Sequence, residues 1–288
     1  MRIGLDATPL LGARTGIGRY TGALLEALAH SGSDELVATA FTLRGRGALR
    51  VPDGVEVRAR AVPARGLHEL WAHTPLPPVE WLTGRLDVFH ATNFVLPPLR
   101  RAGGVVTVHD LAFLHHTATV SAASARYRAL VPRSIARAAV VVTPSEAVAD
   151  QVREAYAPRV PVLAVPHGVD PAWQAAAPPD DALRARLGLP SSYVLFVGTL
   201  EPRKDVRTLL AAHALLAGAP PLVLVGPPGW GEALDVRGAV TPGFLGDAEL
   251  HPVVAGPYAL VVPARDEGLG EPVVHGLAGR HPVVAPAQ

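Results

Sequence analysis

A two-domain α/β fold with parallel sheets is predicted by three features of the 288-residue sequence. Short runs rich in Val, Leu and Ile alternate with helical stretches, a pattern typical of doubly wound sheets. Glycine-rich or polar loops follow several of these runs. The two halves, 1–172 and 173–288, each open with a strand, a loop and a helix, so each half is predicted to form one doubly wound domain.

The first half is predicted to begin with a strand at 3–6, a glycine-rich segment at 12–18 and a helix at 19–30. Leu24, Leu25 and Leu28 give that helix an apolar stripe. Further strands are expected at 36–43, 55–60, 87–90, 105–109, 140–143 and 163–165. A helix at 127–139 is expected to break or restart at Pro132, and Ser145 has the position of a helix N-cap. The segment 67–83 is predicted to be a Pro-rich loop with packing aromatics, and an acceptor-binding or membrane-facing surface is the alternative.

The second half follows a Pro- and Ala-rich stretch at 171–179, which is predicted to be a linker. Strands are expected after it at 193–197, 222–225, 259–262 and 283–285. Helices are expected at 180–187, 206–216 and 272–278. A polar loop at 198–205 joins the first of these strands to its helix, as a ligand-binding loop of a doubly wound sheet would.

The charge balance and the lack of cysteine exclude several functions. Twenty-six Lys and Arg residues face 25 Asp and Glu residues, so there is no basic field suited to nucleic acid. Without cysteine there is no disulfide, thiolate metal site or cysteine nucleophile. No apolar run approaches the ~18 residues of a membrane span. We therefore expect a cytoplasmic protein, and peripheral contact with the inner face of the membrane stays open.

Ligands of open α/β sheets bind beyond the carboxyl ends of the strands, and two segments of the first half have that position. In the glycine-rich segment 12–18, backbone N–H groups could approach a phosphate, although a tight turn explains it equally well. His109 ends a predicted strand and could hydrogen-bond a sugar hydroxyl. The alternative, a histidine whose hydrogen bonds are made within its own loop network, is the commoner one. For His90 this alternative is favoured more strongly.

Two segments of the second half have the same position. Arg203 and Lys204 lie between a strand and a helix, where adjacent cations suit a diphosphate. A solvated pair at the start of a helix is the alternative. Glu267 lies beside a glycine-rich turn, where a carboxylate can accept hydrogen bonds from sugar hydroxyls. An exposed loop acid is an equally good interpretation.

Taken in order, these segments resemble the family 4 glycosyltransferases, the large retaining GT-B group that includes many bacterial mannosyltransferases. The match runs over essentially the whole chain. Its segments are 15–20 (TGIGRY), 106–111 (VTVHDL), 142–146 (VTPSE), 165–170 (VPHGVD), 198–204 (GTLEPRK) and 225–231 (VGPPGWG).

The resemblance implies two Rossmann-like domains facing a cleft. Residues 1–172 would form the acceptor side, and 173–288 would bind the nucleotide sugar. It implies transfer of a hexose, such as mannose, from a nucleoside-diphosphate sugar to a glycan or lipid-linked acceptor. The anomeric configuration would be retained. No metal or other cofactor is expected, because cations of the chain and a helix dipole would neutralise the leaving diphosphate.

The resemblance also assigns a role to each candidate residue. His109 and Glu267 would be the catalytic residues, with His109 touching the transferred sugar and Glu267 binding its hydroxyls. The donor phosphates would be bound by Gly16, Gly18, Arg203 and Lys204. The rest of the donor would be contacted by Gly268, Leu269, Gly270 and His275.

The chain departs from the family pattern at two places. The family has a second glutamate eight positions after the first, and His275 stands there instead. A neutral imidazole can hydrogen-bond a ribose hydroxyl, but it lacks the paired acceptors of a carboxylate. After 282–285 only Pro286, Ala287 and Gln288 follow, which predicts a truncated second domain. The alternative hypothesis is therefore a catalytically impaired GT-B scaffold that acts as a binding or partner subunit.

Overall fold

The computed structural model describes residues 1–12, 16–43, 46–116 and 121–286. The chain divides into two compact units. The first comprises Met1–His115 and Ala122–His167, and the second comprises His116–Ser121 and Gly168–Gln288. The main change of unit thus falls between His167 and Gly168, whereas the sequence predicted a domain boundary between 172 and 173. The final Ala287 and Gln288 lie outside the described residues.

The first unit is built on a parallel sheet. Its strands within the described residues are β1 (Arg2–Asp6), β2 (Glu35–Phe41), β3 (Glu56–Arg60), β4 (Val88–Ala91), β5 (Gly103–Thr107), β6 (Val140–Thr143) and β7 (Val162–Ala164). Their spatial order is β3-β2-β1-β4-β5-β6-β7. The chain therefore builds outward in one direction from β1 and in the other from β4, and the carboxyl ends of these two strands flank the point of reversal.

The helices of this unit are α1 (Gly16–Ser31), α2 (Ala64–His73), α3 (Glu80–Thr83), α4 (Ala112–His115), α5 (Ala122–Ala125), α6 (Tyr127–Arg137) and α7 (Glu146–Tyr156). Ser145 caps α7 as predicted, since its hydroxyl accepts a hydrogen bond of 3.3 Å from the Val148 N–H.

Three predictions for the first unit were wrong. α1 begins at Gly16, so part of the expected glycine-rich loop is the first turn of the helix. α6 runs continuously through Pro132, although a proline at the sixth residue of a helix removes the N–H that would bond the carbonyl oxygen four residues earlier. The segment predicted as a Pro-rich loop contains α2 and α3. Its Trp71 is a buried packing aromatic as expected, while Trp81 is 62% exposed.

The second unit has a smaller parallel sheet. Its strands within the described residues are β8 (Val194–Val197), β9 (Leu222–Val225), β10 (Val240–Gly243), β11 (Ala259–Val261) and β12 (Val283–Val284). The spatial order is β10-β9-β8-β11-β12, so the reversal lies between β8 and β11. Val223, Leu224 and Leu195 are fully buried, as expected for strands covered on both faces.

The helices of the second unit are α8 (Ala172–Ala175), α9 (Asp181–Leu187), α10 (Val206–Ala214), α11 (Asp247–Val254) and α12 (Glu271–Ala278). The predicted linker 171–179 was wrong in part, because α8 lies within it and inserts Trp173 into the core. β10 and α11 were not predicted.

In the part of the chain that the structure describes, no helix combines the length and apolarity needed to cross a bilayer.

Candidate functional site

The loops that flank the strand reversal of the second unit carry three of the predicted site residues. Arg203 and Lys204 form a short 3-10 turn (Pro202–Lys204) in the loop after β8. Glu267 follows β11, the strand that pairs directly with β8. A backbone hydrogen bond of 3.0 Å from the Arg265 N–H to the Arg203 carbonyl oxygen joins the two loops. The sheet topology therefore brings together residues that are 63 positions apart in sequence.

Ion pairs connect these side chains. The Lys204 ammonium donates a hydrogen bond to the Glu267 carboxylate. The Arg203 guanidinium donates to the Asp266 carbonyl oxygen at 2.7 Å, and its Nη1 atom lies 3.7 Å from a Glu267 carboxylate oxygen. All three side chains are less than 20% exposed. We call Arg203, Lys204 and Glu267 the charged cluster.

Glu201 is a member of this neighbourhood that the sequence analysis did not single out. Its carboxylate lies 3.0 Å from the Arg203 Nη2 atom, and the side chain is 7% exposed. Burial raises the pKa of Glu201, and the charges of Arg203 and Lys204 oppose that rise. Glu201 thus holds one edge of the Arg203 guanidinium. Its position two residues before Arg203 in the matched motif was the available signal.

Gly226 directly follows β9 and allows the loop after β9 to pack closely against the loop that carries Arg203 and Lys204. A Cβ atom on this residue would lie 1.9 Å from the Gly198 carbonyl oxygen, and its φ of +146° disfavours any side chain. The Leu200 N–H also donates to the Pro227 carbonyl oxygen at 3.1 Å. The loop carrying Arg203 and Lys204 is therefore packed backbone to backbone against the loop after β9.

The turn from Glu267 into α12 contains the predicted Gly268, Leu269 and Gly270. Gly270 caps the helix in the left-handed region at φ +72°, which places the start of α12 close after the acidic residue. Gly268 and Leu269 are half-buried. The amino-terminal end of α12 contributes positive potential near the turn, and Glu271 in its first turn partly offsets it.

His275 packs on an indole. Its ring stacks on Trp173 with centroids 3.9 Å apart and an interplanar angle of 8°, and the edge of His251 meets the same indole at 4.2 Å. Trp173 is 6% exposed. The histidine that replaces the expected glutamate thus contributes to a packed aromatic group, and its contact with a ribose stays a prediction.

A cavity of about 200 Å³ adjoins this neighbourhood. Leu200 and Val206 line it together with Trp230 and Leu234. Trp230 and Leu234 belong to the loop between β9 and β10. In the described ranges, no group of three or more His, Asp or Glu side chains has the arrangement of a metal site.

In the first unit, His109 lies two residues beyond β5 and is 8% exposed. Its Nε2 atom is 2.8 Å from the Thr92 carbonyl oxygen, so Nε2 carries a proton and donates it. The rings of Tyr20 and Phe94 meet the imidazole edge-on at 5.1 and 5.6 Å. The ring of His167 meets the imidazole edge-on as well, at 5.9 Å. These contacts fix the orientation of the imidazole.

The His90 imidazole has a hydrogen-bond partner in the same region of the first unit. Its Nε2 atom lies 2.8 Å from the Thr107 hydroxyl, which also lies 3.0 Å from the Tyr20 hydroxyl. Burial, with a smaller contribution from His109, lowers the pKa of His90 to about 4. His167, which the sequence analysis quoted only within a motif, stacks on Tyr20 at 4.5 Å. Tyr20 thus connects His90, His109 and His167. No local sequence pattern predicts this role.

Gly16 and Gly18 are in the first turn of α1, and Gly18 is buried. This turn contains no acidic residue, so the positive end of the helix dipole is not offset there. Ala13, Arg14 and Thr15 of the predicted phosphate-contacting segment lie outside the described residues. The phosphate contacts of Gly16 and Gly18 stay a prediction.

Comparison with known sequences identifies relatives of one kind. A family model described as a glycosyl transferase 4-like domain matches residues 15–168, which is more than half of the chain. The chain is 34% identical over 105 residues to O-antigen chain mannosyltransferase B of Escherichia coli, covering 32% of this chain and 28% of that protein. It is 29% identical over 231 residues to D-inositol 3-phosphate glycosyltransferase of Kineococcus radiotolerans, covering 72% and 52%. The chain thus spans about half or less of the length of these curated relatives.

Solved structures show the same fold at low identity. Sucrose-phosphate synthase from Thermosynechococcus elongatus superposes with a TM-score of 0.74 at 18% identity, covering 99% of this chain and 80% of that one. Anabaena HepE in complex with UDP-glucose gives a TM-score of 0.65 at 18% identity, covering 99% and 79%. These findings confirm the predicted GT-B architecture and the predicted resemblance. The chain belongs to the glycosyl transferase 4-like family of group 1 glycosyltransferases.

Proposed function

We propose that this chain acts as a retaining glycosyltransferase, moving a hexose from a nucleoside-diphosphate sugar to a glycan or lipid-linked acceptor. The observation that carries the proposal is the charged cluster at the strand reversal of the second sheet. Two adjacent cations suit a diphosphate, and a carboxylate suits sugar hydroxyls. The cluster therefore matches the two parts of one donor molecule.

Donor binding would rearrange the ion pairs of the cluster. A diphosphate competes with Glu267 for the Lys204 ammonium, because phosphate oxygens are strong acceptors of charge-assisted hydrogen bonds. Once Lys204 turns to the phosphates, the Glu267 carboxylate can accept hydrogen bonds from hydroxyls of the sugar. The start of α12 adds its dipole to the positive potential.

The proposed reaction exchanges one bond at the anomeric carbon. The bond from this carbon to the phosphate oxygen breaks, and the acceptor oxygen bonds the same carbon on the same face. The electron pair of the broken bond stays on the diphosphate, which takes the acceptor's proton. Arg203 and Lys204 would stabilise the developing charge, and one well-placed partner contributes about 2.7–4 kcal/mol to such a transition state.

The other predicted site residues keep their roles in this proposal. His109 would contact the transferred sugar, Gly16 and Gly18 the phosphates, and Gly268, Leu269, Gly270 and His275 the rest of the donor. The family resemblance supports these assignments. We propose that a metal is not required, because Arg203 and Lys204 supply positive charge at the diphosphate.

The choice of substrates rests on the relatives. Mannose is the first hexose to test, because one relative is a mannosyltransferase. UDP is the first nucleotide to test, because it is part of the donor bound in HepE. With a lipid-linked acceptor, we place the reaction in the cytoplasm at the inner face of the membrane.

Turnover assays test the proposal. The protein is incubated with UDP-, GDP- and ADP-linked glucose or mannose and a panel of glycan and lipid-linked acceptors. Nuclear magnetic resonance then determines the anomeric configuration of the product. We expect one donor to give a product with retained configuration, in a reaction that the double variant R203Q/K204Q does not catalyse. Inversion would refute the retaining mechanism, and equal turnover by the double variant would refute the site.

A catalytically impaired binding subunit is the second candidate, and His275 favours it. This residue stands where the family has a glutamate, and it is stacked on Trp173. If donor binding has been lost by this replacement, His275→Glu restores turnover that the natural chain lacks. If the natural chain already turns over its donor as fast as the variant, the hypothesis of a catalytically impaired subunit is wrong.

A further inference from the structure

The aromatic ring of Tyr20 packs between two histidines of the first unit. It stacks on His167 with ring centroids 4.5 Å apart and an interplanar angle of 23°. It meets the His109 imidazole edge-on, with centroids 5.1 Å apart and an angle of 83°. The two histidines also meet each other edge-on at 5.9 Å. Each of the three rings therefore contacts the other two.

The hydroxyl group of Tyr20 has a contact of its own. Its oxygen lies 3.0 Å from the Thr107 hydroxyl oxygen, which is hydrogen-bond distance. Thr107 is the last residue of β5, is 1% exposed, and lies two positions before His109. Because β5 pairs with β4 on one side and β6 on the other, the position of Thr107 is set by the sheet. The Tyr20 side chain thus contacts both the end of β5 and the imidazole that follows it.

Tyr20 and His109 belong to different elements. Tyr20 lies on α1, one helical turn after Gly16, which is a predicted contact of the donor phosphates. The Phe94 ring, which also meets the imidazole, comes from the loop between β4 and β5. Tyr20 therefore connects the start of α1 to the end of β5, so that the predicted phosphate and sugar contacts have a common support.

The ring contact limits the orientations open to the imidazole. The hydrogen bond from Nε2 of His109 to the Thr92 carbonyl oxygen fixes one atom of the ring. A single hydrogen bond leaves the ring plane free to tilt about the line between its two atoms. The edge-on contact with Tyr20 opposes this tilt, since an aromatic pair favours its own geometry by up to about tenfold.

We propose that Tyr20 is a positioning residue of the transfer reaction and acts through His109. The inference rests on the proposed function, because His109 is assigned there to the transferred sugar. The phenol ring holds the imidazole in the orientation that meets the sugar, and the phenol hydroxyl holds the ring on β5. A displacement of about 1 Å can cost about 100-fold in rate, so a residue behind the site can change turnover.

A double-mutant cycle tests this role. The natural chain, Tyr20→Met, His109→Ala and the double variant are assayed for transfer from UDP-, GDP- and ADP-linked glucose and mannose. Methionine is flexible enough to fill the space but has no aromatic ring. We expect Tyr20→Met to lower kcat about tenfold and to leave UDP affinity, measured by calorimetry, unchanged.

The decisive comparison uses the background without the imidazole. The double variant should have the kcat of His109→Ala, because the effect of Tyr20 passes through His109. If Tyr20→Met costs the same factor in both backgrounds, Tyr20 does not act through His109 and the proposal is overturned. A natural chain without turnover would refute the proposed function as well, whereas turnover with additive losses would refute only the role of Tyr20.

Two control variants separate positioning from general packing. Tyr20→Phe retains the ring and should lower kcat by no more than about threefold, the effect of one neutral hydrogen bond. Tyr156→Met makes the first exchange in α7, where Tyr156 packs against the core of the same unit. We expect its kcat to equal that of the natural chain. A loss as large as that of Tyr20→Met in either control would overturn the proposal.

Nuclear magnetic resonance measures the contact without reference to activity. We expect nuclear Overhauser effects between the ring protons of Tyr20 and His109 in the natural chain, with signals assigned from Tyr20→Phe and His109→Ala. If Tyr20→Met does not fold, this contact and the turnover of Tyr20→Phe decide the question. Absence of the contact, or a kcat of Tyr20→Phe as low as that of His109→Ala, would overturn the proposal.

Discussion

The Lys204 ammonium and the Glu267 carboxylate form a hydrogen-bonded ion pair between the loops that follow β8 and β11. Each of these side chains has a predicted ligand of its own, a phosphate for the lysine and a sugar hydroxyl for the glutamate. Their mutual contact means that donor binding exchanges one set of charge-assisted hydrogen bonds for another. Both residues are therefore expected to affect binding, but in opposite directions.

Glu267→Gln should strengthen the binding of UDP while it weakens transfer. The neutral amide no longer holds Lys204, so the ammonium meets the diphosphate without competition, and affinity rises by up to about tenfold, or ~1.4 kcal/mol. Turnover falls by about 100-fold or more, because the amide binds the sugar hydroxyls less well in the transition state. Calorimetry with UDP and steady-state kinetics measure the two effects.

Glu154→Gln is the control for this variant. Glu154 is an exposed acid on α7 of the first unit, and its loss changes the net charge by the same amount. We expect its UDP affinity and turnover to match those of the natural chain. Weaker UDP binding by Glu267→Gln would contradict the competition between carboxylate and diphosphate.

His109→Ala should lower turnover without lowering UDP affinity. The imidazole is the predicted sugar contact, and losing one such partner costs about 100-fold in rate. The predicted diphosphate ligands Arg203 and Lys204 belong to the second unit and are unchanged. Loss of the hydrogen bond to the Thr92 carbonyl oxygen should also lower the free energy of unfolding by about 1 kcal/mol. Unaltered turnover by the folded variant would remove His109 from the site.

Gly226→Ala should destabilise the protein by at least about 2 kcal/mol. Its new methyl group would meet the Gly198 carbonyl oxygen at 1.9 Å, and the backbone at both positions would have to move. Denaturant titration followed by tryptophan fluorescence measures the change. Gly47→Ala is the control, because Gly47 is exposed and nothing lies within 4 Å of a Cβ there. If both variants have the stability of the natural chain, the close packing of the two loops is wrong.

Stability should fall as pH decreases from about 6.5 to about 4, in part because of His90. Its pKa is lowered from 6.5 to about 4 in the folded chain, so the unfolded chain binds more protons within this window. The stabilisation is fully present above pH 6.5 and is lost on acidification, with a total of about 3 kcal/mol for this residue. His68 acts in the same direction.

His90→Gln tests this pH dependence, because glutamine can still hydrogen-bond the Thr107 hydroxyl but does not titrate. We expect the free energy of unfolding to depend less steeply on pH between 4 and 6.5. His30→Gln, at an exposed position on α1, should leave the slope unchanged. Equal slopes for His90→Gln and the natural chain would show that His90 is not the titrating group.

The sequence predicted the elements whose local signals agree with their final environment. β6 and β9 have the predicted bounds, because their apolar runs end at clear turn signals. β10 and α11 were missed, since Pro242, Gly243 and Pro252 argue locally against a strand and a helix. α8 was missed because no local pattern indicates it. What positions this helix is the burial of Trp173 in a core formed by distant residues.

The candidate site was predictable to a similar degree. Arg203, Lys204 and Glu267 could be named from their motifs, and the rule for strand carboxyl ends brought them to one region. Their ion pairs could not be predicted, because they join residues 63 positions apart whose distance depends on the sheet order. The stack of His275 on Trp173 likewise depends on packing between separate elements.

The most direct test of the account is calorimetric titration with UDP, GDP and ADP of the natural chain, Arg203→Gln, Lys204→Gln and Arg186→Gln. Arg186 is the control cation, since it is exposed on α9 of the same unit and pairs with Glu249. We predict that at least one nucleotide binds the natural chain and Arg186→Gln equally, and binds the other two variants about tenfold more weakly or worse. Binding that is the same in all four proteins would contradict the assignment of Arg203 and Lys204 to the donor diphosphate.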